Sequence, residues 1–238
     1  MVVRLQGFDR GLFGGNFHTH NELHIPPGLD AVCYSNGRDY VRGWRYCVAQ
    51  AAAGRVVMSV DCTALLNRRH YEHGAERRSW MTAYPNDPGD TLSFDEVTVY
   101  GDEPAGAGDA DAPRLAIVSY GNGVVTALEA AAQLREEGGS GSAEVSVIDS
   151  PYLSAVPQQL REAVGSFDAV LFADVCKDGP GAPLLSHACT LHNEGRLPAA
   201  WGTVAAPRAY NPLGSTITFL NVEDVVGAAT RLCSRLAE

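Results

Sequence analysis

From Arg114 onward the chain alternates strand-like apolar runs with alanine- and leucine-rich stretches, and this alternation restricts the fold more than any other feature of the sequence. Residues 115–120 (LAIVSY), 144–149 (EVSVID), 169–175 (AVLFADV) and 199–205 (AAWGTVA) read as strands. A run such as LAIVSY, apolar throughout, suits a strand buried on both faces, as in a parallel sheet. Between these runs the spacing predicts helices over 124–137, near 157–164, over 183–195 and over 221–238. Their punctuation is consistent. Gly121-Asn122-Gly123 turns the chain, residues 138–142 (GGSGS) end the first helix, Pro157 opens the second, Gly195 stops the third and Asn221 caps the last. Strand and helix in strict alternation, with short loops, predict an α/β fold with a doubly wound, mostly parallel sheet and right-handed crossovers over 114–238.

The first hundred residues read differently. Residues 30–35 and 55–61 look like buried strands around a helix over 38–53, with 2–5 (VVRL) as a third strand. One such β-α-β unit is too small to cover a parallel sheet on both faces, and alone it leaves an open edge. The segment is therefore expected to complete a sheet whose other strands lie elsewhere. Residues 101–113 (GDEPAGAGDADAP) carry no periodicity and little to bury, which marks a solvated linker between segments 1–100 and 114–238.

Composition closes several routes. At 238 residues, 45% hydrophobic and 19% charged, the chain is ordinary globular material. No apolar run approaches the ~18–20 residues that span a bilayer, so no membrane role is expected. A formal net charge of −10 repels phosphate backbones and argues against nucleic acid as a partner. The N-terminal residues lack a signal-peptide pattern, which points to the cytoplasm, or to a mitochondrion or plastid where a transit segment precedes this sequence. The six cysteines (Cys33, Cys47, Cys62, Cys176, Cys189, Cys233) form no C-x-x-C pair and mostly sit in apolar stretches, so buried free thiols are expected.

The polar residues offer few strong signals. His18, His20 and His24 share a H-x-H-x3-H spacing, but a zinc site needs convergent ligands with second partners, and no metal is assigned to them. His70 and His73, among arginines in 68–78, read as a solvated surface loop. Asp149, Asp174 and Asp178 lie at or beyond strand ends, where open α/β sheets bind ligands, and are read as turn or interface residues. Gly179-Pro180-Gly181 lacks the Gly-Lys-Ser/Thr ending of a phosphate loop.

Several motifs in order carry a family resemblance. LAIVSYGNGVVTALEAAAQLREEG, EVSVIDSPYLSAV, VLFADV and NVEDVVGAATRL resemble successive strands and helices of the transketolase C-terminal domain. GGNFHTHNE, followed by HIPPGLDAVCYS and RDYVRGWRYCVAQAAAGRVVMSV, resembles the histidine segment and the closing half of the pyrimidine-binding domain. The set is similar to the β-subunit of the 2-oxoacid dehydrogenase E1 component, a transketolase-like, thiamine-diphosphate-dependent family. The resemblance implies a partial pyrimidine-binding α/β domain over 1–100 and a transketolase C-terminal domain over 114–238.

The resemblance also implies chemistry and partners. His18 matches the histidine of the family's active-site channel and is the expected catalytic residue. Imidazole titrates near neutral pH, which suits it to steady a developing charge. His20 stands where the family commonly has glutamine. Thiamine diphosphate and Mg2+ are expected to be held mainly by an E1 α-type subunit, with a second β copy and a lipoyl-bearing E2 component as further partners. The family's cofactor-facing glutamate and Gly-Asp-Gly…Asn motif have no counterpart here. The expected function is a β-subunit, or a fragment of one, supporting oxidative decarboxylation of a 2-oxoacid and acyl transfer to lipoamide, inactive without the partner chain. The alternative is a non-catalytic assembly module that keeps the transketolase C-terminal domain.

Overall fold

The structure, a computed structural model, describes residues 1–8, 21–73, 76–101, 112–138, 143–210 and 219–236. The elements follow the chain as β1 (Val2–Gln6), β2 (Leu29–Val32), α1 (Gly37–Ala52), β3 (Val56–Asp61), α2 (Thr63–Leu66), β4 (His70–His73), β5 (Glu76–Ser79) and β6 (Thr98–Tyr100). They continue as β7 (Arg114–Ser119), α3 (Asn122–Gly138), β8 (Glu144–Asp149), α4 (Gln158–Ala163), β9 (Ala169–Lys177), α5 (Pro183–Asn193), β10 (Ala200–Ala206) and α6 (Val222–Ser234).

Two sheets carry the architecture. The second is the predicted doubly wound one, in the order β10-β9-β7-β8-β6. Its first four strands are parallel, and β6 pairs antiparallel with β8. The side-chain alternation of the central strands sends their residues to opposite faces. Leu115 and Ile117 pack with Val124, Val125 and Ala131 of α3 and with Val225, Ala229 and Leu232 of α6. Ala116 and Val118 pack on the other side with Leu160 of α4 and with Leu184, Ala188 and Leu191 of α5. Burial on both faces explains the continuous apolar runs: β9 is buried at every position but its last. α6 begins as the sequence suggests, with the Asn221 N–H donating to Asp224 at 3.0 Å.

The first sheet has three parallel strands in the order β1-β3-β2. Helix α1 starts where Asn36 accepts from the Asp39 N–H at 2.9 Å. Its apolar side, Tyr40, Trp44 and Cys47 at helical spacing, packs on Val32, Val57, Leu92 and Phe94. The opposite face of this sheet joins the second sheet's core through Ala31, Cys33, Val60 and Cys62. β1 pairs on one side only among the described residues; Val3, Arg4 and Gln6 are exposed, while Val2 and Leu5 are partly buried against the cores.

Two segments depart from the sequence reading. Residues 70–79, read as a surface loop, form an antiparallel hairpin, with His70 opposite Ser79 and His73 opposite Glu76. Its charged sequence hides the strands because neither face is a continuous apolar one. Thr98–Tyr100, ahead of the linker, supplies the antiparallel edge of the second sheet rather than a strand of the first. Among the described residues no helix is long and apolar enough to cross a membrane.

Candidate functional site

The residues leaving the carboxyl ends of both sheets bond to one another. Cys33 N–H donates to the Pro151 carbonyl at 2.9 Å and Leu153 N–H to Ala31 at 2.8 Å, closing an antiparallel bridge between Val32 and Tyr152. Ala31 N–H also donates to Ser154 Oγ at 2.7 Å. Ligands of open parallel sheets bind beyond these strand ends, so this seam is the place to look for a site.

At its centre is the turn after β7. Gly121 takes φ +53 and lies so close to Cys33 that a Cβ there would stand 2.5 Å from its sulfur. Only glycine combines that backbone with that approach. The preceding Tyr120, fully buried, donates its hydroxyl to Asp174 at 2.6 Å and meets Phe8 edge-on with ring centroids 6.0 Å apart.

Asp149 and Asp174 are among the buried carboxylates at the seam. Asp149, at the end of β8, accepts a hydrogen bond from Ser35 just beyond β2, a further contact between the two sheets' carboxyl ends. Among the described residues its other oxygen has no hydrogen-bond partner. Burial, reinforced by the nearby Asp39 carboxylate, pushes Asp149 up to about 8. Asp174 accepts from Tyr120, from the Cys176 N–H at 2.8 Å and from the Leu184 N–H at 2.7 Å. Burial outweighs those three bonds and lifts it to about 6. The sequence reading treated both as turn or interface residues. Asp149 does sit at the contact between the sheets, while Asp174 ties β9 to the start of α5; Asp178 is exposed.

Asp39 accepts from Asn36 at 2.8 Å, Arg42 at 3.1 Å and Thr98 at 3.3 Å. Asn36 in turn reaches the Tyr100 hydroxyl at 3.0 Å. On the far side of α1, Asp61 accepts from Arg4 at 2.5 Å and Tyr40 at 3.2 Å. Burial first, then the Asp61 charge, pushes Tyr40 up to about 12. The indole of Trp80, at the foot of the β4–β5 hairpin, donates to the Ser35 carbonyl at 3.1 Å. A cavity of about 250 Å³ opens here, walled by Tyr34, Tyr40, Val60, Cys62, Leu65 and Trp80.

His18 and His20 lie outside the described residues, and so does most of the segment that singled them out. Its flanks are described. Before it, Phe8 is buried with φ +62, and its carbonyl accepts from the Asn122 side chain. After it, Asn21 is buried, donates its side-chain amide to Val175 at 3.3 Å and accepts at its carbonyl from the Lys177 N–H at 2.8 Å. Both flanks are therefore fixed to the carboxyl ends of β7 and β9, at the same seam. His24 is exposed and lines two adjoining cavities of about 620 and 780 Å³. Among the described residues no group of His, Cys, Asp or Glu could hold a metal ion, so they do not fit the metal–diphosphate end of a thiamine cofactor. The Ser35–Asp149 contact had no local signal, whereas Asn36–Asp39 is an i,i+3 pair at the start of α1, a capping pattern the sequence analysis did not single out. For the former, the strand-end position of Asp149 was the one available clue.

No protein-family model and no curated protein sequence matches the chain. Solved structures do. A split-gene transketolase, described as an inactive β4 tetramer, superposes with TM-score 0.61 at 17% identity over 98% of this chain and 65% of its own. The transketolase from Leishmania mexicana gives 0.53 at 16% identity over 99% of this chain and 30% of its own. That from Campylobacter jejuni gives 0.53 at 10% identity, with 97% and 31% covered. The chain thus spans a little under two thirds of the split-gene protein and under a third of the other two. The fold is transketolase-like across both sheets.

Proposed function

We propose that the chain is a β-type component of a thiamine-diphosphate-dependent enzyme that acts on a 2-oxoacid and passes the acyl group to lipoamide. The observation that carries this reading is the continuity of the transketolase-like fold over 98% of the chain, through the first sheet as well as the second. In this reading residues 1–100 are the closing half of a pyrimidine-binding domain and 114–238 a transketolase C-terminal domain. The one-sided pairing of β1 supports a first sheet completed by further strands. When bound, the cofactor supplies the carbanion chemistry; this chain supplies shape, a buried seam and the His18 imidazole.

A second reading has its own support. The split-gene protein that this chain resembles is described as inactive in its β4 form, which favours an assembly module without catalysis of its own.

The assembly purified from native cells separates the two. Thiamine-dependent decarboxylation of a 2-oxoacid, followed with a dye acceptor, is expected, and His18→Ala is expected to lower lipoyl acylation at least tenfold without changing the assembly's mass. Ketose cleavage with no 2-oxoacid turnover would move the substrate class to that of the transketolases. No thiamine-dependent turnover at all would leave the assembly reading.

A further inference from the structure

We infer that Cys33 and Cys62 form a latent disulfide, a peroxide-reactive dithiol built into the seam between the two sheets. The thiols stand one residue beyond the carboxyl ends of the adjacent strands β2 and β3. Their sulfurs are 3.9 Å apart. Both side chains belong to the buried cluster that joins the sheets, and both sulfurs lie under the Gly121 turn, within 2.5 and 3.5 Å of where a Cβ would stand there.

The two thiols are not equivalent. Cys33 is fully buried, and its hydrogen bond with Cys62, together with burial, holds it in the neutral form. Cys62 is also on the wall of the 250 Å³ cavity beside α1, where a small oxidant can reach it. Reactivity follows access as well as thiolate character. The step is a two-electron oxidation by a peroxide. Cys62 sulfur attacks the O–O bond, giving a sulfenic acid and one water. Cys33 sulfur then displaces the hydroxyl, which leaves as a second water with the Cys33 proton. One peroxide is reduced, two thiols lose one hydrogen each, and one S–S bond forms. Closing to the ~2.05 Å of a disulfide needs the sulfurs to approach by rather less than 2 Å.

The other thiols are built differently and serve as internal references. Cys176 is buried against the Tyr120 hydroxyl at 3.3 Å, and Cys47 against the Tyr34 hydroxyl at 3.4 Å. Cys189 is exposed.

The test is to reduce the intact protein, remove reductant, titrate with hydrogen peroxide, and map the digest by mass spectrometry without reduction. The expected product joins the peptides carrying Cys33 and Cys62, lighter by two hydrogens than their sum and separated by dithiothreitol. Cys62→Ala should abolish that product while Cys189 oxidises as before. The wild-type map is decisive even if the variant folds poorly. Recovery of Cys33 and Cys62 as free thiols, or of Cys62 as a sulfinic acid unlinked to Cys33, at a dose that oxidises all of Cys189, would overturn the proposal.

Discussion

The two sheets are both built on parallel strands, the second with one antiparallel edge, yet they are finished to different degrees. Among the described residues the second has five strands, helices on both faces and an interior strand, β9, buried along almost its whole length. Among the described residues the first has three strands, one covering helix, and an edge strand, β1, exposed at three of its five positions. Parallel strands are normally buried on both sides, because their crossover helices cover them. The second sheet meets that condition by itself. The first meets it on one face through α1 and on the other by leaning on the second sheet's core. Stability is therefore expected to reside in the second sheet, with the first held by the seam and open at its β1 edge.

The sharpest way to break this comparison is to truncate an apolar side chain on a strand of each sheet. Phe172→Ala, at a fully buried position of β9, should cost ~3–5 kcal/mol in urea unfolding, whereas Val3→Ala on β1 should stay within ~0.5 kcal/mol. Similar costs at both sites would contradict the asymmetry.

The seam should have its own pH signature. Asp149 is raised in the fold from its ordinary 3.8 to about 8, so the native state keeps a proton that the unfolded chain has released. Its contribution is fully present below about 4 and is lost as pH rises through about 8, falling by up to ~1.4 kcal/mol per pH unit. Asp174 adds a slope of the same sign that ends near 6. Urea midpoints between pH 5 and 9 should decline with pH in the wild type and flatten above pH 6 in Asp149→Asn.

Gly121→Ala should cost ~1–3 kcal/mol, combining the left-handed backbone with the clash on Cys33. Pairing it with Cys33→Ala should recover the steric part, and a purely additive double mutant would show that the turn does not lean on that sulfur. The smallest effect expected is Arg4→Ala, whose side chain is 60% exposed in its pair with Asp61, at ~0–1 kcal/mol.

The same contrast decided what could be read from the sequence. LAIVSY and AVLFADV announce their strands because both faces are buried and polar residues are excluded, and the four strands and four helices of 114–238 fall within a few residues of expectation. In the first segment, β2 and β3 were legible from short apolar runs and α1 from the helical spacing of its apolar residues. The β4–β5 hairpin was not, since HYEH and ERRS carry charge in place of an apolar alternation. β6 is three residues long and takes its identity from pairing with β8, a contact no local pattern encodes. The seam was the least legible part: Ser35 and Asp149 are 114 residues apart, and only folding makes them neighbours. His18 stood out through a family motif rather than through any physical pattern nearby.

The most direct measurement is native mass spectrometry of the complex purified from its own cells, with and without added thiamine diphosphate and Mg2+. The account predicts this chain in an assembly with a second, different polypeptide, and a mass increase when the cofactor and metal are added. A chain found alone or only with copies of itself, with no mass change on adding them, would contradict the reading of this protein as one part of a shared thiamine site.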